Sequence, residues 1–183
     1  MRRFITVAAL SLALAAGHAA VVSPAAAASP GADGFGVEDT VIRQGTISGA
    51  EVLAQARRDG TRYTAAEAEA IRKAPCRWYE RQQGRRASKK GRWLIWVKVR
   101  LNWCYDGYQV VSAKAKYRSY TYDRATWRWR GWAKKRLTHT GSWSSVTTRT
   151  QGKFYYTGNG RTYKPWATIQ GNFDGGYRWW AGG

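Results

Sequence analysis

Acid–base catalysis draws on an imidazole or on a carboxylate with a displaced pKa. From Cys76 onward the chain supplies His139 and four carboxylates, Glu80, Asp106, Asp123 and Asp174. His139 stands in Thr138-His139-Thr140-Gly141, which reads as a strand end or loop, and a solvated or structural role suits it. Asp106 and Asp174 each precede glycine, and Asp123 falls between two strand-like runs, so turn formation accounts for all three. Metal-ligand spacing and a G-x-S-x-G elbow are absent, and Gly158-Asn159-Gly160 lacks the lysine and helix context of a phosphate loop. The sequence therefore nominates no catalytic residue, no metal site and no cofactor.

The abundant chemistry is cationic and aromatic. Arg77-Trp78-Tyr79, Lys116-Tyr117-Arg118 and Trp127-Arg128-Trp129-Arg130-Gly131-Trp132, followed by Lys134-Lys135-Arg136, interleave positive charge with large rings. Cations hold phosphates or other anions, while the rings stack on bases or sugars or rest at a lipid interface. A more ordinary reading applies to single tryptophans: the alternation in 127–130 turns rings inward and arginines outward. Of the formal charge of +20, Arg2 and Arg3 carry two, and the rest divides unevenly. Residues 29–75 hold six basic against seven acidic residues, residues 76–183 hold twenty-three against four, and all eleven tryptophans lie in the second stretch. Such a field attracts polyanions and is screened by salt.

The chain begins Met1-Arg2-Arg3, continues with the apolar run Phe4 to Ala16, and reaches Ala26-Ala27-Ala28 before Ser29. A positive start, a hydrophobic run too short to span a bilayer and an A-x-A site form a secretory signal. Residues 1–28 are expected to be removed, with an alternative cut near Ala20, and the product to be secreted. An oxidising compartment then favours pairing of the two cysteines, Cys76 and Cys104, as a disulfide.

The elements that must position these residues follow from periodicity. Residues 29–45 are rich in glycine and small or polar residues, and read as a flexible mature N-terminus. Within 46–75, Ser48 with Glu51 and Thr64 with Glu67 form two capping boxes, which predict two short helices separated by Gly60 and closed by Pro75. Beyond Arg92 the period changes to two: Trp93, Ile95, Val97, Val99, Leu101 and Trp103 share one face of a strand. The run from Gln109 to Tyr122 returns as a hairpin partner. A three-residue loop, Tyr105-Asp106-Gly107, pairs Leu101 with Val111, Val99 with Ala113, Val97 with Ala115 and Ile95 with Tyr117, keeping one face apolar. That register sets Lys98 opposite Lys114, Trp96 opposite Lys116 and Leu94 opposite Arg118. Further strands are suggested over 126–134, 142–150, 153–157 and 166–170, with turns at Asp123, Gly141, Gly152, Gly158 to Gly160 and Asp174 to Gly176. The expected fold is mainly β: an antiparallel sandwich or small barrel of about six strands over residues 76–183, preceded by two short helices.

The segment Val99-Arg100-Leu101-Asn102-Trp103-Cys104-Tyr105-Asp106-Gly107, with a cysteine upstream and Gly152-Lys153-Phe154 downstream, resembles a group of uncharacterised small secreted proteins of actinobacteria that carry a W-C-Y-[DN]-G strand-turn motif. The match covers roughly residues 76–175. The resemblance implies export and a β fold, and supplies no mechanism.

The sequence is thus read as a secreted, non-enzymatic protein that binds an anionic polymer or surface. The partner classes are a cell-wall component, a nucleic acid or an acidic polysaccharide. The expected contacts are Lys98, Lys114, Lys116, Arg118, Arg128 and Arg130, with Trp96 and Tyr120 as aromatic partners. A second reading is an antibacterial protein acting on anionic membrane surfaces, and a third is a hydrolase on the same scaffold.

Overall fold

A computed structural model describes residues 36–183; the secretory signal expected at 1–28 lies outside the described residues. Nine strands and two helices follow in the order β1 (Val37–Ile47), α1 (Gly49–Arg58), α2 (Ala65–Lys73), β2 (Cys76–Arg86), β3 (Trp93–Tyr105), β4 (Val110–Thr121), β5 (Trp127–His139), β6 (Ser145–Tyr156), β7 (Arg161–Tyr163), β8 (Trp166–Asn172) and β9 (Tyr177–Gly182). The first sheet is ordered β1-β2-β3-β4. The second is ordered β5-β6-β8-β9, with β7 pairing the end of β6. All pairings are antiparallel, and the sheets pack face to face as an open sandwich rather than a closed barrel.

The apolar face of β3 appears as its period of two requires: Ile95, Val97, Val99 and Leu101 are fully buried, with Trp103 nearly so. They meet Val146, Ala167 and Ile169 of the second sheet at one end and Trp127, Phe154 and Tyr156 at the other. Burying each such side chain contributes about 1.5–3 kcal/mol. Gly152, expected at a turn, instead lies within β6, where a Cβ would stand 2.6 Å from both Trp129 and Val97. The glycine lets the sheets approach there, and a side chain would push them apart. Gly131, at φ +89°, makes a bulge in β5. Trp129 and Trp132 consequently both turn inward, edge to face with ring centroids 5.0 Å apart.

Both helices start at the expected capping boxes, with the hydroxyls of Ser48 and Thr64 accepting from the backbone of Glu51 and Glu67. Val52 and Ile71 pack on Cys76 and Cys104, which face each other across β2 and β3 and form the expected disulfide. The stretch 37–45, expected to be flexible, is a strand paired with β2 along its whole length. Neither strand shows an apolar alternation: β1, at the sheet edge, buries no residue fully, and the face of β2 turned to the second sheet is largely polar. Arg81 is only 4% exposed and lies 3.5 Å over the Trp179 ring, Arg85 stacks on Tyr163, and Arg77 donates to the Gly175 carbonyl. Burial lowers the pKa of Arg81 and raises that of Tyr79.

The β3–β4 register also differs from expectation. The turn is Asp106 to Gln109, and Leu101 faces Ala115, Val99 faces Tyr117 and Val97 faces Ser119. Val111 is the extra residue of a bulge beside Cys104: Val110 enters the main core, while Val111 packs toward the disulfide and helices. The Asp106 carboxylate accepts from the backbone N–H groups of Tyr108 and Gln109, and the Gly107 N–H donates to the Phe173 carbonyl, fixing the longer loop. Because the shift is four residues, an even number, the faces from Ser112 onward are preserved and only the partners change, while Val111 passes to the side of the helices.

Candidate functional site

The two outer faces of the sandwich concentrate its free chemistry. On the first sheet, the outward side of β3 and β4 carries Trp96, Lys98, Arg100 and Asn102 beside Tyr120, Arg118, Lys116 and Lys114. The register corrects the expected partners: Lys98 faces Arg118, Arg100 faces Lys116 and Asn102 faces Lys114, while Trp96 faces Tyr120. Like charges still oppose each other, in different pairs, which is destabilising unless something compensates.

Compensation is present on this face. Lys98 donates to Glu80 at 3.3 Å, and Asp59 at the end of α1 lies 2.8 Å from Lys114 and 3.7 Å from Lys116. The hydrogen bond from Lys114 holds the Asp59 carboxyl below the usual carboxylate range. Arg100 rests over Trp78 and donates to Asn102, whose amide donates to Gln55 of α1. Gln55, Glu80, Lys98, Arg100, Asn102, Lys116 and Arg118 line a cavity of about 240 Å³. At its margin Trp96 and Tyr120 stack with centroids 5.5 Å apart and planes 10° apart, and the Lys98 ammonium lies 5.3 Å from the Trp96 ring.

The remaining two expected residues are elsewhere. Arg128 and Arg130 lie on β5, and the neighbouring Trp127 and Trp129 point into the core, so the arginines project from the opposite side of the sandwich. There they join a larger basic face that sequence reasoning did not assemble: Lys134 and Arg136 of β5, Arg149 and Lys153 of β6, and Arg178 of β9. Arg136 faces Arg149 directly across the strands. Arg149 lies over Trp166 and Arg130 over Tyr155, while Trp180 is 44% exposed on the same side. None of the five strands of this sheet contains an aspartate or glutamate. Among the described residues, Arg128, Arg130, Lys134, Arg136, Arg149, Lys153 and Arg178 take part in none of the ion pairs. The signal that could have found this face is the alternation of Thr147, Arg149, Gln151, Lys153 and Tyr155 with buried Val146, Thr148, Thr150, Gly152 and Phe154.

No family model, curated protein or solved structure matches this chain.

His139 and the turn aspartates of the basic region have structural partners. The His139 imidazole stacks on Trp143 with centroids 3.8 Å apart, and its Nδ1–H donates to the Thr140 carbonyl. Asp123 accepts from Ala125 N–H and the Thr126 hydroxyl, and Asp174 accepts from Gly176 N–H. Their turn hydrogen bonds hold Asp106 and Asp123 below the usual carboxylate range, whereas a proton-donating carboxyl at neutral pH needs the opposite displacement. Among the described residues, no group of three or more His, Cys, Asp or Glu could hold a metal ion.

Proposed function

We propose that this protein is an exported, non-catalytic binder of an anionic polymer or surface. The ligand class is a cell-wall polymer, a nucleic acid or an acidic polysaccharide. Binding uses Lys98, Lys114, Lys116 and Arg118 with Trp96 and Tyr120 on one side, and Arg128 and Arg130 with their basic neighbours on the other. The observation that carries this reading is the acid-free outer face of the second sheet. Arg136 stands opposite Arg149 there, and opposed cations with no carboxylate in any strand of the sheet are relieved by an anionic ligand. The disulfide suits export to an oxidising compartment, as does the resemblance to secreted actinobacterial proteins.

The test is binding of the oxidised protein to purified cell wall, to anionic liposomes and to DNA, each at low and high salt. Salt-sensitive binding to one of them is expected, with log affinity falling linearly in log salt. Binding indifferent to salt, or none to any of the three, would overturn the proposal. Leakage of the liposomes without polymer binding would favour a membrane-active protein instead.

A further inference from the structure

The two basic faces are back to back. Residues of β3 and β6 that point inward meet in one core, as the approach of Val97 to Gly152 demonstrates. Side chains of opposite parity on the same strands therefore leave the sandwich in opposite directions. Two packed sheets lie about 10 Å apart, so a chain bound on one face reaches the other only by turning round a sheet edge. Each face independently pairs cations with rings: Lys98 with Trp96 on the first, Arg149 with Trp166 on the second. Phosphates meet the cations while bases stack on the rings, a combination by which sheet surfaces hold single strands without reading their sequence.

We infer that one molecule bridges two single strands of nucleic acid, one on each outer face. This rests on the polyanion-binding reading and adds to it a ligand class and a valency. A duplex would offer its phosphates but not its bases, so single strands are the form that engages both groups of side chains.

The experiment uses the oxidised protein with two oligothymidylates of about 8 nucleotides, within the span of one binding face, one carrying a donor dye and the other an acceptor. Anisotropy reports binding and energy transfer reports bridging. The expected result is two oligonucleotides per protein, with transfer that appears on adding protein and vanishes in excess protein. Arg136→Glu/Arg149→Glu and Lys116→Glu/Arg118→Glu should each keep the anisotropy change at half the stoichiometry while transfer drops to background. The milder Arg136→Gln/Arg149→Gln and Lys116→Gln/Arg118→Gln pairs repeat the test should a charge reversal fail to fold.

One oligonucleotide per protein without transfer would overturn bridging and leave polyanion binding intact. No anisotropy change at low salt would overturn bridging and the choice of nucleic acid, while the polyanion-binding reading would fall only if purified cell wall and anionic liposomes were not bound either. Transfer that survives in both single-face variants would overturn the assignment to these faces. Inorganic polyphosphate of matched charge competing as well as the oligonucleotide would overturn the choice of nucleic acid.

Discussion

The first sheet's outer face and the second's are built from the same residue types but differ in what surrounds the charge. On the first, α1 lies along the strands and contributes Gln55 and Asp59, β2 contributes Glu80, and three lysines have carboxylate partners. On the second, the strands lack acids altogether and the arginines lean on Tyr155 and Trp166. A braced, partly neutralised face keeps its geometry without a ligand, whereas an unneutralised face leaves its repulsion to be relieved by whatever binds. The difference predicts that affinity and salt dependence reside mainly in the second face, and stability mainly behind the first.

The largest effect tests that stability. Cys76 and Cys104 lie in the cluster that joins both helices to the first sheet, and removing the disulfide by Cys76→Ala/Cys104→Ala should cost about 3–4 kcal/mol in the loop-entropy picture. Denaturant unfolding measures the loss. Hydrogen exchange should show α1 and α2 opening before β6 and β8, and equal loss of protection in both sheets would mean the helices do not depend on the bridge.

Next comes the charge of each face. Arg136→Glu/Arg149→Glu should weaken polyanion binding by about 10–100-fold and lower the salt slope by roughly 0.7–0.9 for each phosphate left without its cation. Lys116→Glu/Arg118→Glu should cost only about 3–10-fold, because neighbouring carboxylates already offset part of that face's field. Titrations at several salt concentrations check both, and the reverse order would show that the braced face is the principal one.

The parts that sequence made legible are those where one physical signal acts alone. The β3 core face followed from strict alternation, the helix starts from reciprocal capping boxes, and the disulfide from compartment and count. β2 stayed hidden because aromatic rings from the other sheet cover Arg81 and Arg85, so its inward positions read as solvated ones, and β1 because, at the sheet edge, it has no fully buried residue to give an alternation. The β3–β4 register was misassigned by four residues because parity alone cannot choose among even shifts, and the deciding bulge at Val111 answers to a disulfide and helices distant in sequence. The site divided for a related reason: Arg128 and Arg130 look continuous with the first-sheet cations along the chain, but the turn at Asp123 carries them to the other layer.

A smaller effect sharpens the comparison from the opposite direction. Asp59→Asn removes the carboxylate that holds Lys114 and Lys116 and should raise polyanion affinity about two- to fivefold, in line with the modest energies of exposed ion pairs. The same substitution in the Arg136→Glu/Arg149→Glu background isolates the first face. No gain there would mean that the lysines reach the ligand with Asp59 still paired.

Acidification should act on the faces unequally, and most weakly of all on stability near neutrality. Asp59 is held low by its hydrogen bond with Lys114, Glu51 and Glu67 by the capping boxes, and Glu69 by Lys73 and Arg72. A carboxyl whose folded pKa is depressed contributes stability fully above its unfolded value, near pH 4, and loses it as pH falls through the lower folded value. These groups sit in the helices over the first sheet or at their ends; beside the second sheet, Asp123 in the turn before β5 is likewise held low by Thr126, but the strands themselves carry no carboxylate. Melting temperature should therefore be flat from about pH 6 to 8 and decline below about pH 4, with helix signal fading first. Protonating Asp59 also frees Lys114, so at low pH the first face should gain relative affinity for a polymer whose phosphates stay ionised. A melting curve indifferent to pH down to about 2 would show that the carboxylates over the first face do not hold it together.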